Sequence, residues 1–466
     1  MVFLSLILSM VSLEFPITTA PGDQRYPDVC WDGSKFWVVW TDNRNDSGKI
    51  YATKVDENGS VESPILVHSF DSEVWDPSIA CSPDTFLLTF SLPVPDSVTE
   101  FYLRYSLLDT SATPYPGSGG GVGIFAAGPI IPLRCKEHFA LLYTYGFPAQ
   151  FEYPTCGAVS LLNGNEPVDI LEVPGPKGQF CYVDGGVWNG EHLFCVTSSG
   201  CIYLEDTLEQ SPNQGGYFYP RDPWEMDWDS LWFYNGVTLA AASDKIGMLY
   251  SKYGNPWFDL VDGNGSLINP EPLFIDSTQN YWQSSLAFGK GSFLAVSEVG
   301  KYHGPYTLWG TEIDTSVTLI DEGYLVGGPK EERYPDICFG KEHFLLVWCD
   351  NRSGDWDIYG RILDSLPYSG VSESSPSPLP KDIQAIEVDK TFFKDELRIR
   401  LENAVDAGQI IIIRDVAGRT VRMLEVQGPE AVWDGCGRDG ALLNKGVYFV
   451  SAGGRSSARP VKVVKL

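Results

Sequence analysis

The chain writes one stretch of sequence twice, and this repetition limits its fold more than any other feature. Residues 25–56 read RYPDVCWDGSKFWVVWTDNRNDSGKIYATKVD and residues 333–364 read RYPDICFGKEHFLLVWCDNRSGDWDIYGRILD. The two align without a gap at an offset of 308, with 14 of 32 positions identical. Weaker copies of the same unit lie between them.

Inside a copy the apolar residues come in short runs, such as Val29–Trp31, Phe36–Trp40, Ile50–Val55 and Pro64–Val67. Asp32-Gly33, Asp42-Asn43-Arg44 and Glu57-Asn58-Gly59 separate them. Runs rich in Val, Ile, Trp and Tyr between Gly, Asn and Asp read as strands joined by tight turns. Four strands in about 50 residues, repeated, is the pattern of a β-propeller blade. The first large residue of each second strand marks the copies: Phe36, Phe86, Phe139, Leu193, Leu239, Phe293 and Phe344. The expected fold is therefore all-β, a seven-bladed β-propeller, with six or eight blades as the neighbouring counts. Tandem β-sandwiches are the alternative, but a unit of about 50 residues is short for a core of its own.

Composition agrees with an all-β chain: 14 Trp, 23 Tyr, 24 Phe, 47 Gly and 32 Pro. Lys and Arg total 33 against 61 Asp and Glu, a net charge of −28. Such a surface repels phosphate backbones and anionic lipid, which argues against nucleic acid and bare membrane as partners. A glycan, a polymer or a surface protein fits better, bound by a monomer. No cofactor is expected. Calcium is the one cation the turns point towards, because Asp56-Glu57-Asn58-Gly59 and Asp262-Gly263-Asn264-Gly265 resemble half of a calcium loop. Both lack the downstream bidentate Glu and read as hairpin turns.

Residues 1–13 hold an apolar run too short to span a bilayer and of the length of a signal-peptide core, although no Lys or Arg precedes it. Glu14-Phe15-Pro16-Ile17 is similar to Glu62-Ser63-Pro64-Ile65, which opens the fourth strand of the first copy. The last copy has no good fourth strand of its own. Residues 14–20 are therefore expected to close the ring by pairing with the copy at 333–364, removing exposed edges. The propeller spans 14–365, and residues 366–382 read as a Ser/Pro linker.

Candidate sites are few. Cys30, Cys81, Cys135 and Cys338 occupy one point of the first strand in four copies and read as buried small hydrophobes, unable to pair because whole sheets separate them. Cys195 and Cys201 flank a hairpin turn and could be bridged. Mostly free thiols imply a weakly oxidising setting. No C-x-x-C pair points to zinc, and no H-E-x-x-H, P-loop or G-x-S-x-G motif occurs. Three of the five His, at 138, 192 and 343, fall at one turn of the repeat.

Asp42 and Asp350, in the W-x-D-N-R turns, stand two residues before Arg44 and Arg352. They either brace the turns or hold a polar ligand where the first and last copies meet. The aromatic stretch 217–232, with Tyr217, Tyr219, Trp224 and Trp228, either fills a core or stacks on sugar rings. Residues 71–76, 117–123 and 210–222 read as loops.

Residues 383–466 alternate again, over Leu397–Leu401, Gln409–Asp415, Val421–Val426, Val447–Ala452 and Val461–Leu466, as in a small sandwich. Asp415-Val416-Ala417-Gly418-Arg419 is followed by Val432-Trp433-Asp434-Gly435 and Gly446-Val447-Tyr448-Phe449. This D-x-x-G-R, W-D-G and G-V-Y-F pattern resembles the Ig-like domain of the flagellar hook-capping type. It is also similar to the C-terminal sorting domain of type IX secretion, though the Asn-Pro lead-in is replaced by Val388-Asp389-Lys390. The resemblance implies a secreted or cell-surface bacterial protein whose last domain meets the secretion machinery. The blade repeat resembles propeller-like repeats of exported bacterial proteins, which names no activity.

The sequence thus reads as an exported binding or adhesion protein rather than an enzyme. The rivals are a secreted glycoside hydrolase with axial carboxylates and a structural surface-layer component. Two or three carboxylates about 5–10 Å apart in one axial pocket would mark the hydrolase.

Overall fold

The computed structural model describes residues 14–44, 48–95, 100–126, 130–136, 138–145, 155–161, 167–174, 183–197, 200–204, 237–252, 255–263, 266–269, 271–275, 280–300, 305–326, 330–365, 386–394, 396–401, 409–415, 420–426, 430–437, 441–452 and 461–465. The signal-like segment 1–13, the linker 366–382 and the aromatic stretch with Tyr217, Tyr219, Trp224 and Trp228 lie outside them. The chain divides into two compact units near residue 373. No helix among the described residues is long and apolar enough to cross a membrane.

The first unit is a β-propeller. Its described residues form seven sheets, six of four strands and one of three. The first sheet shows the plan: Gln24–Trp31, Phe36–Asp42, Lys49–Val55 and Ile65–Ser69, each strand paired with the next. The second strand is apolar almost throughout because neighbouring sheets cover both its faces, and all of Phe36–Asp42 is buried. The first strands are innermost, since those of adjoining sheets touch one another.

Packing carries the ring from sheet to sheet. Trp37 meets Phe86 at 4.5 Å between the first two sheets. Ala80 and Leu87 share a core with Phe139 and Leu141, and Gly186 backs onto Leu133 and Leu142. Phe194 joins Ile246, Phe258 meets Phe293 at 5.2 Å, and Leu294 packs with Leu346. The circuit ends where Leu345 and Val347 join Val29 and Val38.

The seventh sheet holds Glu332–Phe339, Phe344–Asp350 and Asp357–Leu363, and its outermost strand is Phe15–Thr18, antiparallel to Asp357–Leu363. Ile17 is buried there among Val38, Leu345 and Val347. Glu14 pairs with Arg352 at 2.8 Å. Glu57, in the third-to-fourth strand turn of the first sheet, accepts from the backbone N–H groups of Lys341, Glu342 and His343 at 2.7, 2.6 and 3.2 Å.

Three readings from sequence need correction. Leu239 is not in a second strand: it lies in Thr238–Ala242, a first strand, and Ile246 in Lys245–Lys252 holds the expected place. The turn between this first strand and the second is Ser243-Asp244. The glycines at 117–123 are no loop but part of the strand Pro114–Ala126, where a Cβ on Gly120 would strike the Tyr105 ring. Cys30 and Cys81 do pair, in a disulfide with Cα atoms 5.8 Å apart. Innermost strands of adjoining sheets converge at the axis, so equivalent positions are neighbours there and whole sheets do not separate them.

The second unit has a three-stranded and a five-stranded sheet. Leu397, Ile399 and Trp433 from the first share one apolar core with Phe393, Ile411, Ile413, Tyr448, Val450 and Val463 from the second. The W-D-G stretch places Trp433, fully buried, against Phe393 at 5.0 Å and Tyr448 at 5.3 Å.

Candidate functional site: the axial mouth of three adjoining sheets

The residue pair before each first-strand aspartate or serine sets the geometry. In Tyr26-Pro27, Asp76-Pro77 and Tyr334-Pro335 the residue ahead of proline has a positive φ, at 54°, 45° and 54°. Proline disfavours a helical neighbour, and a side chain in the left-handed region costs about 1–3 kcal/mol. The register of each first strand slips at this point, between Arg25 and Asp28, Trp75 and Ser78, and Arg333 and Asp336. Each slip is a bulge, a site where a proline without an N–H does not break the ladder. The bulge re-aims the residue before proline, so the seventh, first and second sheets set Tyr334, Tyr26 and Asp76 side by side.

The rings of Tyr26 and Tyr334 lie 4.6 Å apart, and Trp75 is 5.8 Å from Tyr26. Asp76 is exposed to solvent, yet enclosing protein raises its carboxyl to about 6. Burial first, then the adjoining Tyr334 and Asp76, raise the Tyr26 hydroxyl, so it stays neutral. Behind Tyr334 lies Glu298, fully buried, which accepts from the Tyr334 N–H and faces Arg333 at 3.6 Å. Burial outweighs Arg333 and lifts the Glu298 carboxyl to about 7.

Two positions further along each strand a second tier ties the sheets together. Asp336 Oδ2 accepts from Val29 N–H at 2.8 Å, and Asp28 Oδ2 from Ile79 N–H at 2.5 Å. Ser285 donates to Asp336 Oδ1 at 2.6 Å and accepts from Ile337 N–H at 3.3 Å. Each side chain thus reaches the backbone of the next sheet. Burial, then the neighbouring Asp336 with which it hydrogen-bonds, pushes the Asp28 carboxyl well above the usual range. The third tier is the Cys30–Cys81 bridge, with Cys338 at the same position of the seventh sheet.

The residues singled out from sequence are placed elsewhere. Asp42 is fully buried and takes Arg44 in a fork, with Nε at 2.7 Å from Oδ1 and Nη2 on Oδ2. Asp350 holds Arg352 through one oxygen: Nε, at 2.8 Å, and Nη2 both donate to Oδ2, while Oδ1 accepts from the Arg352 N–H at 2.7 Å. The guanidiniums cover Tyr51 at 4.4 Å and Tyr359 at 4.2 Å. Each pair braces its own turn, Arg352 also holding Glu14, and no hydrogen bond or ion pair joins the two pairs among the described residues. Asp56 likewise accepts from Asn58 and Ser60 in a hairpin turn. No group of three or more His, Cys, Asp or Glu suited to a metal ion occurs among the described residues.

Sequence reasoning missed Tyr26, Asp76, Tyr334, Asp28, Asp336 and Glu298. Residues 71–76 read as a loop, although Trp75 and Asp76 open the strand Trp75–Cys81. The repeated pair of an aromatic or acid before Pro, followed by Asp or Ser, was the available signal, in RYPD twice and WDPS once.

No family model and no curated protein matches the chain. Among solved structures it is similar to the β-propeller domain of the Trilobed protease from Pyrococcus furiosus, at 10% identity and a TM-score of 0.42, over 73% of this chain and 95% of that one. It is also similar to the WD40 domain from Toxoplasma gondii coronin, at 10% identity and a TM-score of 0.44, over 77% and 85%. The GH93 α-L-arabinofuranosidase of Fusarium graminearum gives 7% identity and a TM-score of 0.44, over 76% and 97%. These likenesses concern fold and carry nothing to the site.

Proposed function

We propose that the chain is an exported binding protein. Its propeller takes a carbohydrate at the mouth formed by Tyr334, Tyr26, Trp75 and Asp76, and its C-terminal unit serves delivery to the cell surface. The observation that carries the binding site is strain. Three non-glycine residues hold left-handed backbone at one repeat position of adjoining sheets. Strain of this kind persists where the surroundings over-determine it, and it gathers at ligand sites. The strained residues bring two aromatic rings and an exposed carboxyl to one end of adjoining first strands, a combination that suits the C–H faces and hydroxyls of a sugar. Delivery rests on the sorting-domain resemblance of residues 383–466.

A glycan array probed with the purified chain tests the site. A hit should lose about tenfold in affinity, roughly 1.4 kcal/mol, in Trp75→Ala. Binding that ignores Trp75, or no hit at all, rejects the proposal.

One observation favours a hydrolase as the second reading: Asp76, exposed beside the rings, carries a carboxyl near 6, where an acid can donate close to neutral pH. The axial pair Asp28 and Asp336 argues the other way. Two carboxyls in hydrogen-bond contact leave no room for a sugar or a water between them. Release of reducing ends from an array hit, abolished by Asp76→Asn, would establish the hydrolase.

A further inference from the structure

We infer that the axial mouth binds a protonated amine, and that its ligand is an amino sugar with a free ammonium group. This rests on the carbohydrate site proposed above and names the class of sugar.

The chain caps its aromatic rings with its own cations. Arg44 covers Tyr51, Arg352 covers Tyr359, Lys54 covers Trp37 at 4.6 Å, Arg25 covers Trp356 at 5.1 Å, and Arg333 covers Tyr306 and Tyr334 at 4.5 and 4.9 Å. Tyr26 and Trp75 have no such cation over them among the described residues. Their rings are tilted by 40°, and Tyr26 is tilted by 57° to Tyr334, so the three faces form a bent wall and not a flat stack. A bent aromatic wall beside a carboxylate is the arrangement that attracts an ammonium group, and enclosure strengthens the attraction.

An anionic ligand fits less well. Of the two nearby guanidiniums, Arg25 is paired with Asp23 at 2.8 Å, and Arg333 is laid over the rings of Tyr306 and Tyr334. The net charge of −28 also draws cations and repels anions. The titratable groups around Asp76 are Tyr26 and Tyr334, whose hydroxyls burial keeps neutral, then Arg25 with Asp23 and Arg333 with Glu298. Asp76 is the solvent-exposed carboxyl among them and ionises as pH rises through about 6, while Glu298, fully buried behind Tyr334, follows near 7.

The test is titration of the full chain with a glucosamine oligomer and its N-acetylated counterpart of equal length, near pH 4.5 and near pH 6.5, on either side of the Asp76 step. The free-amine oligomer should bind about tenfold tighter at the higher pH, and this preference should shrink at the lower pH. Asp76→Asn should erase both differences. Asp76→Gly, which relieves the left-handed backbone, should do the same and so separates lost charge from lost folding. Equal binding of the two oligomers overturns the inference and leaves the carbohydrate site standing. Tighter binding of a lysine peptide than of either oligomer overturns the sugar assignment. No binding of any probe overturns the inference, while the glycan array decides separately on the site itself.

Discussion

Glu298 shows how one side chain ties stability to pH. Its place on the second strand of the sixth sheet corresponds to Cys349 in the seventh and Thr41 in the first, so the repeat itself does not demand an acid there. Burial raises its carboxyl from 4.5 to about 7, and enclosure raises that of Asp76 from 3.8 to about 6. In both cases the folded state holds the proton more tightly than the unfolded chain does. Their contribution is therefore fully present at low pH and is lost as pH rises through about 4 to 7. Melting temperatures measured across that range should fall less steeply in Glu298→Gln than in the parent, and an unchanged slope would refute the assignment. Glu57 works in the opposite sense. Burial opposes its ionisation, but three backbone N–H groups outweigh burial and hold its carboxyl below the usual range, so its contribution is lost as the solution becomes acidic. At neutral pH, Glu57→Gln should cost about 1–2 kcal/mol, read from denaturant midpoints.

At the scale of elements, a four-residue strand completes the seventh sheet. Phe15–Thr18 adds Ile17 to the core between the seventh and first sheets, and Phe15 lies over Gly360 and Gly59, where a Cβ would collide with its ring. Burying these two side chains stabilises the fold by about 3–6 kcal/mol. Deletion of residues 14–20 should therefore lower the melting temperature by 10 °C or more, on the order of 2–4 °C per kcal/mol. An unaltered melting curve would show that closure does not depend on this strand. The bridge between Cys30 and Cys81 spans 51 residues of sequence, and closing a loop of that length stabilises by up to about 4 kcal/mol. The double variant Cys30→Ser, Cys81→Ser should melt lower than the parent, and a reductant should remove that difference.

At the scale of the molecule, two units with separate cores predict two transitions. The ring buries its residues in sheet-to-sheet packing that runs through all seven sheets, whereas residues 386–465 close their own core around Trp433. Calorimetry should resolve two unfolding steps, and limited proteolysis within 366–382 should release a fragment of about 84 residues. A single cooperative step with no such fragment would argue that the units unfold as one.

The sequence by itself determined the element type, the repeat and the strand positions. A blade's second strand must be apolar on both faces, and Phe36–Trp40 and Phe344–Trp348 display this without reference to anything distant. The C-terminal strands were equally legible: Leu397–Leu401 and Gln409–Asp415 fall where their alternation places them. The fifth copy was misread because its first strand, Thr238–Ala242, is as apolar as a second strand, and local sequence does not say which of two apolar runs comes first in a sheet. The site was hidden for a different reason. Tyr26, Asp76 and Tyr334 are separated by 50 and 308 residues in sequence, and each alone is an ordinary residue before a proline. Only convergence of the innermost strands makes neighbours of them. The same convergence brings Asp28 against Asp336 and closes Cys30 on Cys81. Periodicity reports which face of a strand is buried, but which strands share an axis is decided by the packing of whole sheets around it.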